Sequence, residues 1–247
     1  MGLEAPHCLF QGLLADTAQR KLCESCRVKG LSICGGFAVD HAEELAGITQ
    51  RVSCTAGSTL FTEGDQADYF YTVTNGVVQF SKYLLSGRRQ ILGFLLKGDF
   101  LGLAVQDQYS YTAEATTNCN LCQFNKKQFE RLMSTYPTLE HTLFNAVSNE
   151  LMEVENRMVA LGHQLAEKRL AAFLTWYWDR MQYLSPTSET SVTLPMTRRD
   201  IADYLCLSIE AVSRAFTKLR TQNIIALGDP HNVRILNLEK LQDLAES

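Results

Sequence analysis

The chain has 247 residues, 46% of them hydrophobic and 20% charged, which is enough apolar side chain to bury one or two cores. A formal net charge of −4 excludes a protein coated with nucleic acid over its whole surface, so any such contact must be local. No apolar run reaches the roughly eighteen residues of a membrane span, and Met1–His7 lacks the basic-then-apolar layout of a secretion signal. Together these features predict an unanchored, cytoplasmic protein.

Of eight cysteines, Cys8, Cys23, Cys26 and Cys34 crowd the start of the chain, followed by Cys54, Cys119, Cys122 and Cys206. A reducing cytoplasm argues against a disulfide framework, leaving metal, redox chemistry or packing as their purpose. Cys23, Cys26 and Cys34 form Cys-x2-Cys-x7-Cys, with Gly30, Gly35 and Gly36 allowing the backbone to wrap around a centre. Three thiolates ligate one face of a metal site, and zinc or iron-sulfur chemistry normally needs a fourth ligand. Cys119 and Cys122 both qualify, and spacing does not choose between zinc and iron.

From Val52 to Phe124, short β-rich runs alternate with glycine turns: 59–61, 69–73, 77–85, 90–96 and 121–124. That rhythm, with Asn75-Gly76 as the strongest turn signal, predicts an antiparallel β-roll or jelly roll over 45–130. Pro137 opens a long helical stretch. Phe144, Val147, Leu151, Val154, Met158, Leu161 and Leu165 recur there at spacings of three and four, a coiled-coil seam that predicts a homodimer. Glu150, Glu153 and Glu155 flank the seam, so repulsion would leave the dimer marginal. A second helix is expected over 167–183, then a polar loop and a short strand at 191–194.

Between Met196 and Gln222, Arg198, Arg199, Arg214, Lys218 and Arg220 outnumber Asp200, Asp203 and Glu210, making a small basic island on an acidic chain. Thr197-x-x-Asp200 has a capping-box form and opens a helix over 198–205; Ser208 caps a second helix through Thr221. Ala202 is small where the two would cross. A wing follows, 224–227 and 233–236 around Gly228-Asp229-Pro230. This is a winged helix-turn-helix whose second helix presents Glu210, Ser213 and Arg214 on one face. Arg214 suits guanine, Glu210 suits cytosine N4 and Ser213 is adaptable, whereas Arg198, Arg199, Lys218 and Arg220 suit phosphates.

Three motifs together resemble the fumarate and nitrate reduction regulator (FNR) branch of the cyclic-AMP receptor protein superfamily. They are Cys23-x2-Cys26-x7-Cys34, the phrase from Ala166 to Phe173, and Met196 to Leu205 continuing through Glu210-Ala211-Val212-Ser213-Arg214. The resemblance implies an α+β chain: a cysteine segment (1–36), a β-roll (37–135), a dimerisation helix (136–166) and a winged helix-turn-helix domain (167–247). It further implies a 4Fe-4S cluster on Cys23, Cys26, Cys34 and Cys122, leaving Cys119 spare. A double-stranded palindrome of the form TTGAT-N4-ATCAA and contact with RNA polymerase, for instance through 101–109, are implied by the same likeness. Two departures stand out: Cys206 replaces the family's usual glycine in the turn, and Val154 stands where some members carry aspartate. The stretches 98–103 and 109–112 lack the arginine a cyclic nucleotide's phosphate needs, so no cyclic nucleotide is expected. The alternative is a regulator of this superfamily with structural zinc or no metal, answering another signal. Five scattered histidines and no nucleophile-base pairing argue against an enzyme.

Overall fold

The computed structural model describes residues 8–11, 23, 25, 26, 28–36, 42–103, 107–162, 165–186, 190–228 and 231–246. Contacts divide the chain into two compact units, Met1–Ser86 with Leu92–Glu150, and Gly87–Ile91 with Leu151–Ser247.

The first unit is a β-roll. One sheet orders its strands as β1 (Leu9–Gln11), β2 (Thr49–Cys54), β9 (Cys119–Asn125), β4 (Tyr69–Asn75) and β7 (Phe100–Leu101). The other runs β3 (Thr59–Phe61), β8 (Thr112–Ala115), β5 (Val78–Tyr83) and β6 (Arg89–Leu95). Val52, Phe61, Tyr71, Val73, Val78, Leu95, Leu101 and Leu121, drawn from both sheets, form the inner core. The turn at Asn75-Gly76 needs its glycine twice over: φ is +89°, and a Cβ there would stand 2.7 Å from the Cys119 sulfur.

Strand β9 sets the geography of the site. Side chains alternate across a strand, so Cys119 and Leu121 join the inner core while Cys122 and Phe124 face the opposite side. On that outer face lie α1 (Ala42–Gly47), α2 (Lys126–Thr135) and the first turns of α3 (Pro137–Gly162). Leu45, Phe70, Phe124, Phe129 and Leu139 bury one another there. Phe70 and Phe129 meet edge to face, with ring centroids 5.5 Å apart, and burying each such ring contributes about 2–3 kcal/mol.

Most seam side chains of α3 stand in the open, Phe144 at 69%, Leu151 at 59% and Met158 at 68% exposure, while Leu161 is half-buried. Leu165 is not on this helix. It lies beyond Gly162 as the N-terminal cap residue of the next helix, with φ −91° and ψ 130°, so the seam within α3 runs from Phe144 to Leu161.

The second unit is built on α4 (Ala166–Leu184), whose Leu170, Phe173, Leu174 and Tyr177 are buried. It packs against α6 (Ile209–Thr221) and α7 (Leu238–Glu246). Strands β10 (Ser191–Thr193), β12 (Asn232–Ile235) and β11 (Ile225–Leu227) make a three-stranded antiparallel sheet, and α5 (Arg198–Leu205) precedes α6. The wing turn at Asp229 and Pro230, residues 187–189 and residues 104–106 of the expected polymerase-facing loop lie outside the described residues. Among the described residues no helix is long and apolar enough to cross a membrane.

One disulfide joins Cys8 to Cys54. The remaining six cysteines form no disulfide, so the chain has a single cross-link rather than a framework.

Candidate metal centre and nucleic-acid interface

Cys34 and Cys122 pack on the outer face of the five-stranded sheet, and Cys23 and Cys26 are near enough to act on both electrostatically. Cys34 sits in a short 3-10 turn, Ile33–Gly36, whose Ile33 is buried with Phe124 and Leu139. Cys34 and Cys122 pack against this same apolar cluster, at the foot of α3. The arm is fastened to that helix directly: Thr138 Oγ1 donates to the Gly36 carbonyl at 2.8 Å. Gly36 is required for the approach, since a Cβ there would come within 2.5 Å of Thr142 Oγ1.

Burial pushes the Cys122 thiol up to about 12, and the neighbouring Cys34, Cys23 and Cys26 push the same way, while Arg51 opposes them. Cys34 is raised to about 12, again by burial first, with Cys23 and Cys26 adding to it against a hydrogen bond from Ser32 and the charge of Lys29. Cys23 and Cys26 thus discourage the thiolate form of both Cys34 and Cys122, a balance that a nearby cation would reverse. Arg51 and Thr72 are the register partners of Cys122 on either side. Thr72 Oγ1 is buried without a hydrogen-bond partner among the described residues.

Thiol sulfurs are the donors an iron-sulfur cluster takes, and the unpartnered Thr72 hydroxyl is of a kind that its sulfurs could accept a hydrogen bond from. Among the described residues, no three His, Cys, Asp or Glu side chains are gathered tightly enough to grip a single ion. These contacts define a cysteine arm seated through Ile33 and Cys34 on the apolar cluster that also receives Cys122.

Inside the roll, aromatic side chains pack on one another. Phe61 stacks on Tyr109 with centroids 3.7 Å apart, Phe80 and Tyr111 lie 5.2 Å apart, and Tyr71 accepts from Gln123 at 3.2 Å. Tyr111 Oη accepts from the Gly102 amide at 3.1 Å. Within 98–103 and 109–112, Tyr109 and Tyr111 thus pack against other aromatic rings and the Gly102 amide donates a hydrogen bond.

In the second unit, Thr197 Oγ1 accepts from the Asp200 amide at 3.1 Å and Asp200 accepts from the Thr197 amide at 3.0 Å, a complete capping box. Cys206 closes α5 at φ 55° and ψ 40°, the left-handed conformation that a glycine adopts more readily. Ser208 Oγ then accepts from the Ala211 amide at 3.1 Å and starts α6. Ile201, Ala202, Leu205, Val212 and Leu219 are buried, leaving Glu210, Ser213 and Arg214 exposed near the start of α6. The Glu210 carboxyl is held below its ordinary range by its own backbone N–H and the Ser208 hydroxyl, then by Arg214.

The basic residues divide. Arg199 and Arg220 are exposed. Arg198 lays its guanidinium over the Phe216 ring, 3.2 Å from the centroid, and partial burial lowers its pKa to about 10. Lys218 pairs with Glu167 at the start of α4. Arg169, which charge counting around the helix-turn-helix overlooked, donates to the Leu205 carbonyl at 3.0 Å and closes the end of α5.

A β-roll, a long exposed helix and a winged helix-turn-helix with a polar reading face define a DNA-binding regulator rather than an enzyme. Residues 51–136 match the cyclic nucleotide-binding domain family and residues 168–244 the Crp-like helix-turn-helix domain. The chain is 38% identical over 241 residues to the transcriptional activatory protein AadR of Rhodopseudomonas palustris, covering 97% of this chain and 99% of that one. It is 38% identical over 205 residues to the nitrogen fixation regulation protein FixK of Bradyrhizobium diazoefficiens, covering 83% and 86%. The structure of FixK2 from Bradyrhizobium japonicum superposes with a TM-score of 0.73 at 31% identity, over 80% of this chain and 97% of that one. The chain belongs to the CRP/FNR family of transcription regulators.

Proposed function

We propose that this regulator answers oxygen through a 4Fe-4S cluster held by Cys23, Cys26, Cys34 and Cys122. On this reading it activates anaerobic or microaerobic genes from the cytoplasm. The observation that carries the reading is the seating of Cys34 and Cys122 on one apolar cluster beside Leu139 and Leu143 of α3. When bound, the cluster supplies an oxygen-labile tie between arm and sheet. The chain's own residues do the rest: Thr138 holds the arm to the helix, and Ile33 wedges it against Phe124. The exposed seam from Phe144 to Met158 then meets its copy in a second chain.

A two-fold dimer sets its α6 helices about 34 Å apart for successive major grooves, suited to a palindrome such as TTGAT-N4-ATCAA. Glu210, Ser213 and Arg214 read base edges there, while Arg199 and Arg220 meet phosphates. RNA polymerase is the partner of the DNA-bound dimer. Swinging such an equilibrium from 1:99 to 99:1 takes about 5.5 kcal/mol, within the reach of several metal-thiolate bonds.

Electrophoretic mobility shifts on this palindrome, run anaerobically and in air, test the reading with wild type and Cys122→Ala. Wild type binds only without oxygen, and the variant binds in neither atmosphere. Oxygen-dependent binding by Cys122→Ala contradicts the ligand assignment.

A further inference from the structure

Two cysteines of the first unit form a bonded pair outside the four-thiol site. Cys8 and Cys54 are 5% and 4% exposed, sit within the inner core and are joined by the disulfide. Cys119 is the register partner of Cys54 across β2 and β9, and its sulfur donates to the Val77 and Thr117 carbonyls, each at 3.1 Å. Permanent staples belong to oxidising compartments, whereas in proteins that work among reduced thiols a disulfide is usually transient and redox-sensing.

Its place in the chain shows what the bond controls. Cys8 immediately precedes β1, a three-residue strand at the edge of its sheet, paired with β2 alone. Cys54 ends β2, 46 residues further along. Cys23, Cys26 and Cys34 all fall between them, so the bond closes a covalent ring around the thiol arm. Without it, three residues of edge pairing hold β1, and so short an edge strand frays readily. The reduced form is also provided for: the Thr59 carbonyl lies 3.5 Å from Cys8 Sγ and accepts a thiol proton.

We propose that Cys8 and Cys54 are a reversible thiol–disulfide pair, distinct from the four-cysteine site. When oxidised it fastens the N-terminal end of the arm to β2; when reduced it frees that end. The oxidant is a small-molecule disulfide. The Cys8 thiolate attacks one of its sulfurs and expels the first small thiol, and the Cys54 thiolate attacks the mixed disulfide and expels the second. Two cysteine protons and two electrons end on the two released thiols, and one sulfur-sulfur bond replaces another. The pair operates whatever the other four cysteines hold.

The test equilibrates the full chain anaerobically in glutathione and glutathione disulfide at graded ratios, followed by acid quench, alkylation and peptide mass mapping. A Cys8–Cys54 linkage forms and is lost in one reversible two-electron transition, with Cys119 alkylated throughout. Trypsin cleavage within the arm, after Lys29 in the turn Lys29–Leu31, is about tenfold faster in the reduced form, as expected when local opening controls cleavage. Cys8→Ser cleaves at the fast rate at every ratio, and Cys119→Ser follows wild type. No linkage at any ratio, a Cys54–Cys119 linkage in its place, or equal cleavage of mapped oxidised and reduced wild type overturns the proposal. The wild-type titration decides the matter even if a variant fails to fold.

Discussion

Arg198 rests its guanidinium on the Phe216 ring at 3.2 Å, while Arg199, the next residue, is exposed. Both read as phosphate contacts from charge alone, because sequence shows which residues are basic but not which are already committed to an aromatic face. Their substitutions should therefore separate. Arg199→Ala lowers the slope of log affinity against log salt by about one. Arg198→Ala leaves the slope unchanged but destabilises the second unit by about 1–2 kcal/mol in urea melts. Arg214→Ala weakens operator binding by about 1–3 kcal/mol and relaxes preference at a guanine position, measured by competition with single-base operator variants. The choice between Cys119 and Cys122 is likewise a matter of facing. An odd separation on one strand puts them on opposite sides of the sheet, a distinction that becomes visible only once β9 is known to begin at Cys119.

At the scale of elements, much of the second unit is legible because each boundary carries its own chemistry. Thr197 and Ser208 start α5 and α6 where their side chains accept from the third amide along, and the local capping rule suffices without tertiary context. Thr197→Ala should lower stability by about 1 kcal/mol and reduce operator affinity in proportion to the unfolding it causes, checked by calorimetry beside mobility shifts. The roll is less legible. β3 falls at 59–61 as its pattern predicts, but β2 has Val52 as its one strongly apolar residue among Thr, Gln, Arg, Ser and Cys. β8 reads Thr-Ala-Glu-Ala, a poor strand by propensity, held by neighbours on both sides in its sheet. The α2 helix joins element to site: Phe129 is fully buried against Phe70 and Phe124 beneath Cys34 and Cys122. Phe129→Ala should destabilise the first unit by about 3–5 kcal/mol in denaturant melts, loosening the seat of the thiol arm.

For the whole molecule, the apolar residues left open along α3 need a partner. Val147 at 44% exposure lies between the more exposed Phe144 and Leu151, a row too apolar for a solvated helix face. The heptad pattern is readable without the fold, whereas the exposure of its apolar row is not, and Leu165 lies off this row because the helix ends at Gly162. Phe144→Glu with Leu151→Glu should sediment as a monomer, keep its helical circular dichroism and lose symmetric operator protection. The first turns of α3 hold Gly36, and its later turns carry the exposed apolar row. Cys23, Cys26, Cys34 and Cys122 are proposed to hold a metal centre beside the first turns of this helix. Anaerobically purified protein should be brown, with about four irons and matching sulfide per chain, and should bleach when air is admitted. Colourless protein containing zinc, or no metal, contradicts the account.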